Sequence, residues 1–159
     1  MLATMESRDE VRDRLRAADW GAAAPYVDYP KDPWWVVPGF GALASLFVLG
    51  VNLGERADVP DVVAALLMAL VALSSWGYVS WQRRRRGTAP SGKAPREIDR
   101  VLWWFVVGAV VVAVALFVLA DWAPLWLGVP VAFVLTAAGM FWFGSAYARA
   151  SAKVRERLA

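Results

Sequence analysis

The chain has 159 residues, 59% of them apolar, with ten tryptophans, 17 Lys and Arg against 14 Asp and Glu, and neither cysteine nor histidine. That apolar share and a mean hydropathy of +0.44 exceed those of an ordinary soluble domain, in which about half the residues are apolar. Without Cys or His there is no disulfide, thiolate chemistry, iron–sulfur cluster or His-ligated haem, and the commonest metal ligand and general base are missing, so no cofactor is expected.

At the N-terminus Ser7 and Glu10 have the spacing of a capping box, and Val11, Leu15 and Ala18 follow on one helical face. A short amphipathic helix is predicted there, lying on a lipid surface, against the rest of the protein, or on a partner. Met1–Trp20 is too charged for a cleavable signal. From Ala24 to Pro38 the prolines at 25, 30 and 33 predict extended chain. Tyr26, Tyr29, Trp34 and Trp35 are expected at headgroup depth, where an apolar ring and a polar handle both find suitable surroundings.

Four apolar runs then follow at Trp34–Leu53, Val59–Trp81, Val101–Ala120 and Ala123–Tyr147, with no charged residue in the interior of any of them; Asp61 lies at the outer end of the second. Each is near or above the ~20 residues that a helix needs to cross ~30 Å of hydrocarbon. A β-barrel would require alternating apolar and polar residues, and Val106–Ala120 does not alternate. The predicted fold is therefore all-α: a cytoplasmic or interfacial segment 1–33, a four-helix transmembrane bundle 34–147 of two antiparallel hairpins, and a helical tail 148–159.

The connections carry the charge. Gly54 to Asp61 reads as a turn with Asp58 as N-cap and Pro60 early in the next helix. Trp81 and Gln82 lead into Arg83, Arg84, Arg85 and Arg86, a stop-transfer signal and a site for anionic lipid headgroups. An acidic protein surface is the alternative ligand. Residues 82–100 form a basic loop, and Asp121 to Pro124 a tight turn with Trp122 and Trp126 beside it; Trp81, Trp103 and Trp104 are the remaining interfacial candidates. Apart from Arg56, all basic residues fall in the N-terminal segment, the central loop and the tail. The positive-inside rule thus puts these three on the cytoplasmic side of a plasma membrane, and the net charge of +3 reads as topology, with no nucleic acid expected.

Small residues at i and i+4 mark where helices can approach closely: Gly41 with Ser45, Gly50 with Gly54, and Gly144 with Ala148. Leu46–Leu49 and Leu116–Leu119 share the sequence Leu-Phe-Val-Leu, Val59-Pro60 returns as Val129-Pro130, and Trp34-Trp35 matches Trp103-Trp104 with a one-residue slip. The two hairpins are therefore read as a possible internal repeat, with chance similarity as the alternative.

No intramembrane carboxylate, nucleophile–base pair, phosphate loop or dinucleotide fingerprint is present. A four-helix proton-coupled exporter would carry a glutamate in its first span; here that span offers only Ser45 and Asn52. Glu97 and Asp99 read as charge balance rather than acid–base catalysis. An enzyme is not expected.

The segment Pro25-Tyr26-x-x-Tyr29-Pro30, the Pro33-Trp34-Trp35 that follows it, Ala94-Pro95-Arg96-Glu97 after the basic loop, and the Arg-rich tail give the chain its look. In these features it resembles small four-span membrane proteins of actinobacteria of no assigned activity. The resemblance implies the four-span architecture and no chemistry. A non-catalytic accessory or stabilising subunit of a membrane complex is the first functional expectation. A small oligomeric transporter or channel is the alternative, and a protein that binds anionic lipid a weaker third.

Overall fold

The computed structural model describes residues 8–27, 32–55, 59–86 and 94–158. Among these it is all-helical, without strands, and comprises α1 (Arg8–Val27), α2 (Val36–Gly54), α3 (Asp61–Arg86), α4 (Arg96–Trp122) and α5 (Leu125–Leu158). The last four are long and apolar enough to cross a membrane. The N-caps expected at Ser7 and Asp58 lie outside the described residues, as does Tyr29.

Helix ends are set by proline and by the backbone donors it leaves. Pro33 accepts the first amide of α2, from Val36 at 3.0 Å, and Pro38 falls in the first turn, where a missing N–H breaks no intrahelical bond. Pro95 precedes α4 and accepts from both Ile98 and Asp99 at 2.9 Å. Pro124 does the same for Leu127 and Gly128 of α5. Asp121 and Trp122 are the last residues of α4, so Ala123 and Pro124 alone join α4 to α5.

Two elements depart from the sequence expectation. α1 runs to Val27 with Pro25 inside it, where extended chain was expected from Ala24. Pro25 sits in the last turn, so it costs one bond to the Gly21 carbonyl and no following helix. The final carbonyls are claimed from outside: Tyr147 Oη donates to Tyr26 O at 2.7 Å and Arg155 to Val27 O at 2.9 Å. In addition α4 begins at Arg96, because Ile98 is fully buried and holds that first turn in place.

α2 is the axis of the bundle, packing against α3, α4 and α5, while α4 also packs on α5. Gly41 of α2 lies against Phe133 of α5: a Cβ there would stand 2.9 Å from the ring and 3.1 Å from the Phe133 carbonyl oxygen. One turn on, Ser45 Oγ donates to Val129 O at 2.9 Å. Between these helices Ala44, Val48, Ala120 and Ala132 form a buried cluster, with Phe47, Val51 and Leu116 around it. Small side chains bring the backbones together, and the Ser45 hydroxyl finds an acceptor because they are close.

The opposite side of α2 receives α3. A Cβ on Gly50 would meet Met68 Sδ at 3.2 Å and Leu67 Cβ at 3.4 Å, and one on Gly54 would meet Ala64 Cβ at 3.3 Å. Asn52 reaches a third neighbour, its Nδ2 donating at 3.2 Å to Ala120 O in the last turn of α4, where no intrahelical donor follows. A twofold arrangement of hairpins would pack α3 on α4 as α2 packs on α5. Among the described residues α3 instead packs chiefly on α2. Where α2 carries glycines α4 is rich in valine, and its one glycine, Gly108, faces open space.

α5, at 34 residues and therefore ~51 Å, outreaches the 19-residue α2 of ~28 Å. Its last turns continue beyond the bundle and hold α1. A second buried cluster lies there, formed by Ala23 and Val27 of α1, Ile98 of α4, and Ala150 and Val154 of α5. Arg157 and Glu97 close its rim at 2.6 Å. Thus α1 docks by its C-terminal third, while Val11 and Leu15 of the anticipated apolar stripe stay exposed.

Candidate functional site

Four arginines end α3, and the structure sorts them by the rotation of that helix. Gln82 fixes the rotation. It is buried, and its Nε2 donates to Asp32 Oδ1 at 2.9 Å and to the Tyr78 hydroxyl one turn back. Tyr78 packs edge-on against Phe40 of α2 at 4.9 Å, and Trp35 lies 5.4 Å from Trp81. The chain leading into α2 is therefore clamped to the end of α3 by one amide and four rings.

With Gln82 turned inward, the 3.6-residue period sends its neighbours outward. Arg85 lies over the Trp81 ring, 5.1 Å from the centroid, a cation–π contact. Arg83 and Arg84 line an open groove of about 460 Å³ with Trp76, Gly77, Ser80 and Trp81. Arg86 is helical, and its side chain lies outside the described residues. The four arginines read as one cluster in the sequence are thus a pair at a groove and a third stacked on an indole.

The other expected residues fall in three groups. Gly41, Ser45, Gly50 and Gly54 sit at helix contacts, as described above. Gly144 has nothing near the position of a Cβ and Ala148 is exposed, so this face of α5 is open among the described residues, while Phe143 and Tyr147 on the neighbouring face pack on Phe105 and Tyr26. Trp34, Trp103, Trp104, Trp122 and Trp126 are exposed, whereas Tyr26 is half-buried against the α1–α5 cluster.

Of the remaining polar side chains, Ser75, Ser145 and Ser151 bond carbonyls of their own helices. Asn52 Oδ1 and Thr136 Oγ1 are buried without a partner. Among the described residues no three metal-ligating side chains gather.

Sequence reasoning did not single out Asp32, Tyr78 and Gln82, nor the latch of Tyr147 and Arg155 on α1. Gln82 carried a signal: it is the one uncharged polar residue between a run of apolar side chains and a run of arginines. No protein-family model matches the chain, and no curated protein or solved structure is similar to it.

Proposed function

We propose that the chain is a multi-pass protein of the plasma membrane, with both termini and the 82–100 loop cytoplasmic, acting as a non-catalytic accessory subunit of a membrane complex. The observation that supports insertion is the apolar surface left uncovered. In the most apolar stretches of α3 and α4 no residue is buried within the chain. Water does not tolerate apolar area on that scale, whereas lipid and partner helices do.

The orientation rests on the basic residues, of which Arg56 alone falls in a connection on the other side. The accessory role is supported by the closed interior and by one face of α4. Glycine, alanine and valine fill the centre around α2, and the interiors of the four apolar stretches hold no charged residue, Asp61 standing at the outer end of α3, which leaves one chain no polar path. Trp103, Val107, Val110, Val114 and Phe117 form a smooth exposed stripe on α4, free of charge and suited to a partner helix.

Native mass spectrometry of the protein, gently extracted from its own membrane, is the test. A second polypeptide at fixed ratio is expected. A homo-oligomer alone would overturn the accessory role and point to a carrier whose path runs between copies.

Orientation is checked separately, and the absence of native cysteine makes the check clean. In intact cells an impermeant maleimide is expected to label Ala57→Cys and to spare Ser91→Cys until the membrane is opened. The reverse pattern would refute the orientation.

A further inference from the structure

The groove on the outer face of α3 lies opposite the Gln82 anchor, and it ends a continuous apolar stripe. Val62, Leu66, Leu70, Leu73 and Trp76 all share that face and are exposed, from 49% at Leu70 to 70% at Trp76. From Val62 to Trp76 the stripe rises ~21 Å along the helix, longer than one leaflet of a ~30 Å hydrocarbon core. Its upper limit is chemical. One turn past Trp76 comes the Ser80 hydroxyl, and then Arg83 and Arg84 at the mouth of the groove.

We infer that this face is a binding site for a phospholipid with an anionic headgroup. Arg83 and Arg84 hold the phosphate oxygens, Ser80 donates to them, and an acyl chain lies in the notch over Gly77 between Trp76 and Trp81. The planar guanidinium fork matches two phosphate oxygens at once, and its apolar stem lies along the indole walls. Gly77 makes the notch: a Cβ there would meet nothing within 4 Å, so the space beside it is open to a ligand. Arg85 is committed to Trp81 and stands apart from the pair.

Charge decides between lipid and a second copy of the chain. A symmetric contact through this face would bring the two arginine pairs together about the axis. α3 offers no acid to relieve them, since its acidic residue, Asp61, begins the helix at the other end. A lipid phosphate relieves them directly. This inference rests on the membrane-spanning part of the proposed function and is independent of the accessory role.

The test uses the full chain, purified and delipidated, titrated with phosphatidylglycerol or phosphatidylcholine in detergent and followed by native mass spectrometry. Selective phosphatidylglycerol binding is expected, weakened about tenfold by the double variant Arg83→Gln/Arg84→Gln, because both arginines are exposed and each lost charge pair costs a few-fold. Gly77→Leu, which changes no charge and fills open space, is expected to weaken it several-fold while helicity is unchanged. The matched pair Arg96→Gln/Arg100→Gln on α4 is expected to leave it within about twofold.

Equal binding of the two lipids, equal losses in the α3 and α4 pairs, or no effect of Gly77→Leu would each overturn the site. Full competition by inorganic phosphate would show a bare anion site instead, and a dimer broken by Gly77→Leu a protein contact. Alkaline carbonate extraction of the native membrane separates the two proposals. Release of the protein would refute membrane insertion, whereas retention with unselective lipid binding would refute the lipid site alone.

Discussion

Gly41→Leu is expected to unseat α2 from α5 and to lower the unfolding midpoint more than a leucine at any glycine facing open space. The reason is what stands opposite. A Cβ at residue 41 would lie 2.9 and 3.0 Å from two carbons of the Phe133 ring and 3.1 Å from its carbonyl oxygen. A ring can turn, but the backbone carbonyl cannot move without α5. Ser45 Oγ and Val129 O, 2.9 Å apart, would then separate, and the buried cluster around Val48 and Ala132 would open.

Overpacking commonly costs ~1–3 kcal/mol, and forcing two backbones apart puts this variant at about 3 kcal/mol or more. The measurement is thermal or SDS-induced unfolding in detergent, with Gly108→Leu as the control because nothing lies near its Cβ position. Gly108→Leu is expected to shift stability by no more than about 0.5–1 kcal/mol, in the favourable direction, because it removes a helical glycine. A Gly41→Leu midpoint equal to that of the control would mean that α2 and α5 are not in contact. Gly50→Ala should be milder, because its 3.2 Å neighbour is the flexible Met68 sulfur.

Ile98→Ala is expected to release α1 while leaving the four long helices assembled. Ile98 is fully buried and touches the cluster of Ala23, Val27, Ala150 and Val154, where three helices meet. Truncation to alanine removes apolar contacts and leaves a cavity, at a cost of ~2–4 kcal/mol. α1 is held at this junction, where the Tyr147 and Arg155 hydrogen bonds also reach its last turn, and a helix in a protein draws most of its stability from such packing.

Hydrogen exchange reads the outcome. Amides of residues 23, 24, 26 and 27 should approach free-peptide rates, with those in the centres of α2 and α5 unchanged. Arg157→Ala, which breaks an exposed pair with Glu97, should shift the same amides by less than ~1 kcal/mol. Loss of protection throughout the bundle in Ile98→Ala would refute the independence of the two clusters.

The long apolar helices were legible from composition, since only helical backbone keeps that many consecutive apolar residues satisfied. Their ends were not. α1 crosses Pro25 because Tyr147 and Arg155 hold its end from α5, and α4 starts at Arg96 because Ile98 of its first turn is buried against α1 and α5. Such support is invisible to a local rule. Small-residue spacing had the same limit: Gly41 and Ser45 meet α5, while Gly144 and Ala148, identically spaced, meet open space. Spacing says where two backbones can approach and leaves open whether a second helix is there. At the arginine cluster, the sequence carried the charge, but its division into a groove pair and a stacked residue depends on Gln82 reaching Asp32, a residue 50 positions away.

The central place of α2 also sets a timetable. It is made first of the four long helices, yet the carbonyl that receives Ser45 is 84 residues further on. At a synthesis rate of roughly 5–20 residues per second, the interval between the two is roughly 4–17 s. For that time the Gly41–Ser45 side of α2 has no helix to meet, and α3, arriving next on the Gly50–Gly54 side, is the first partner it can have. The α2–α3 pair is accordingly the assembly open to a half-made chain, and α5, last to be made, locks it.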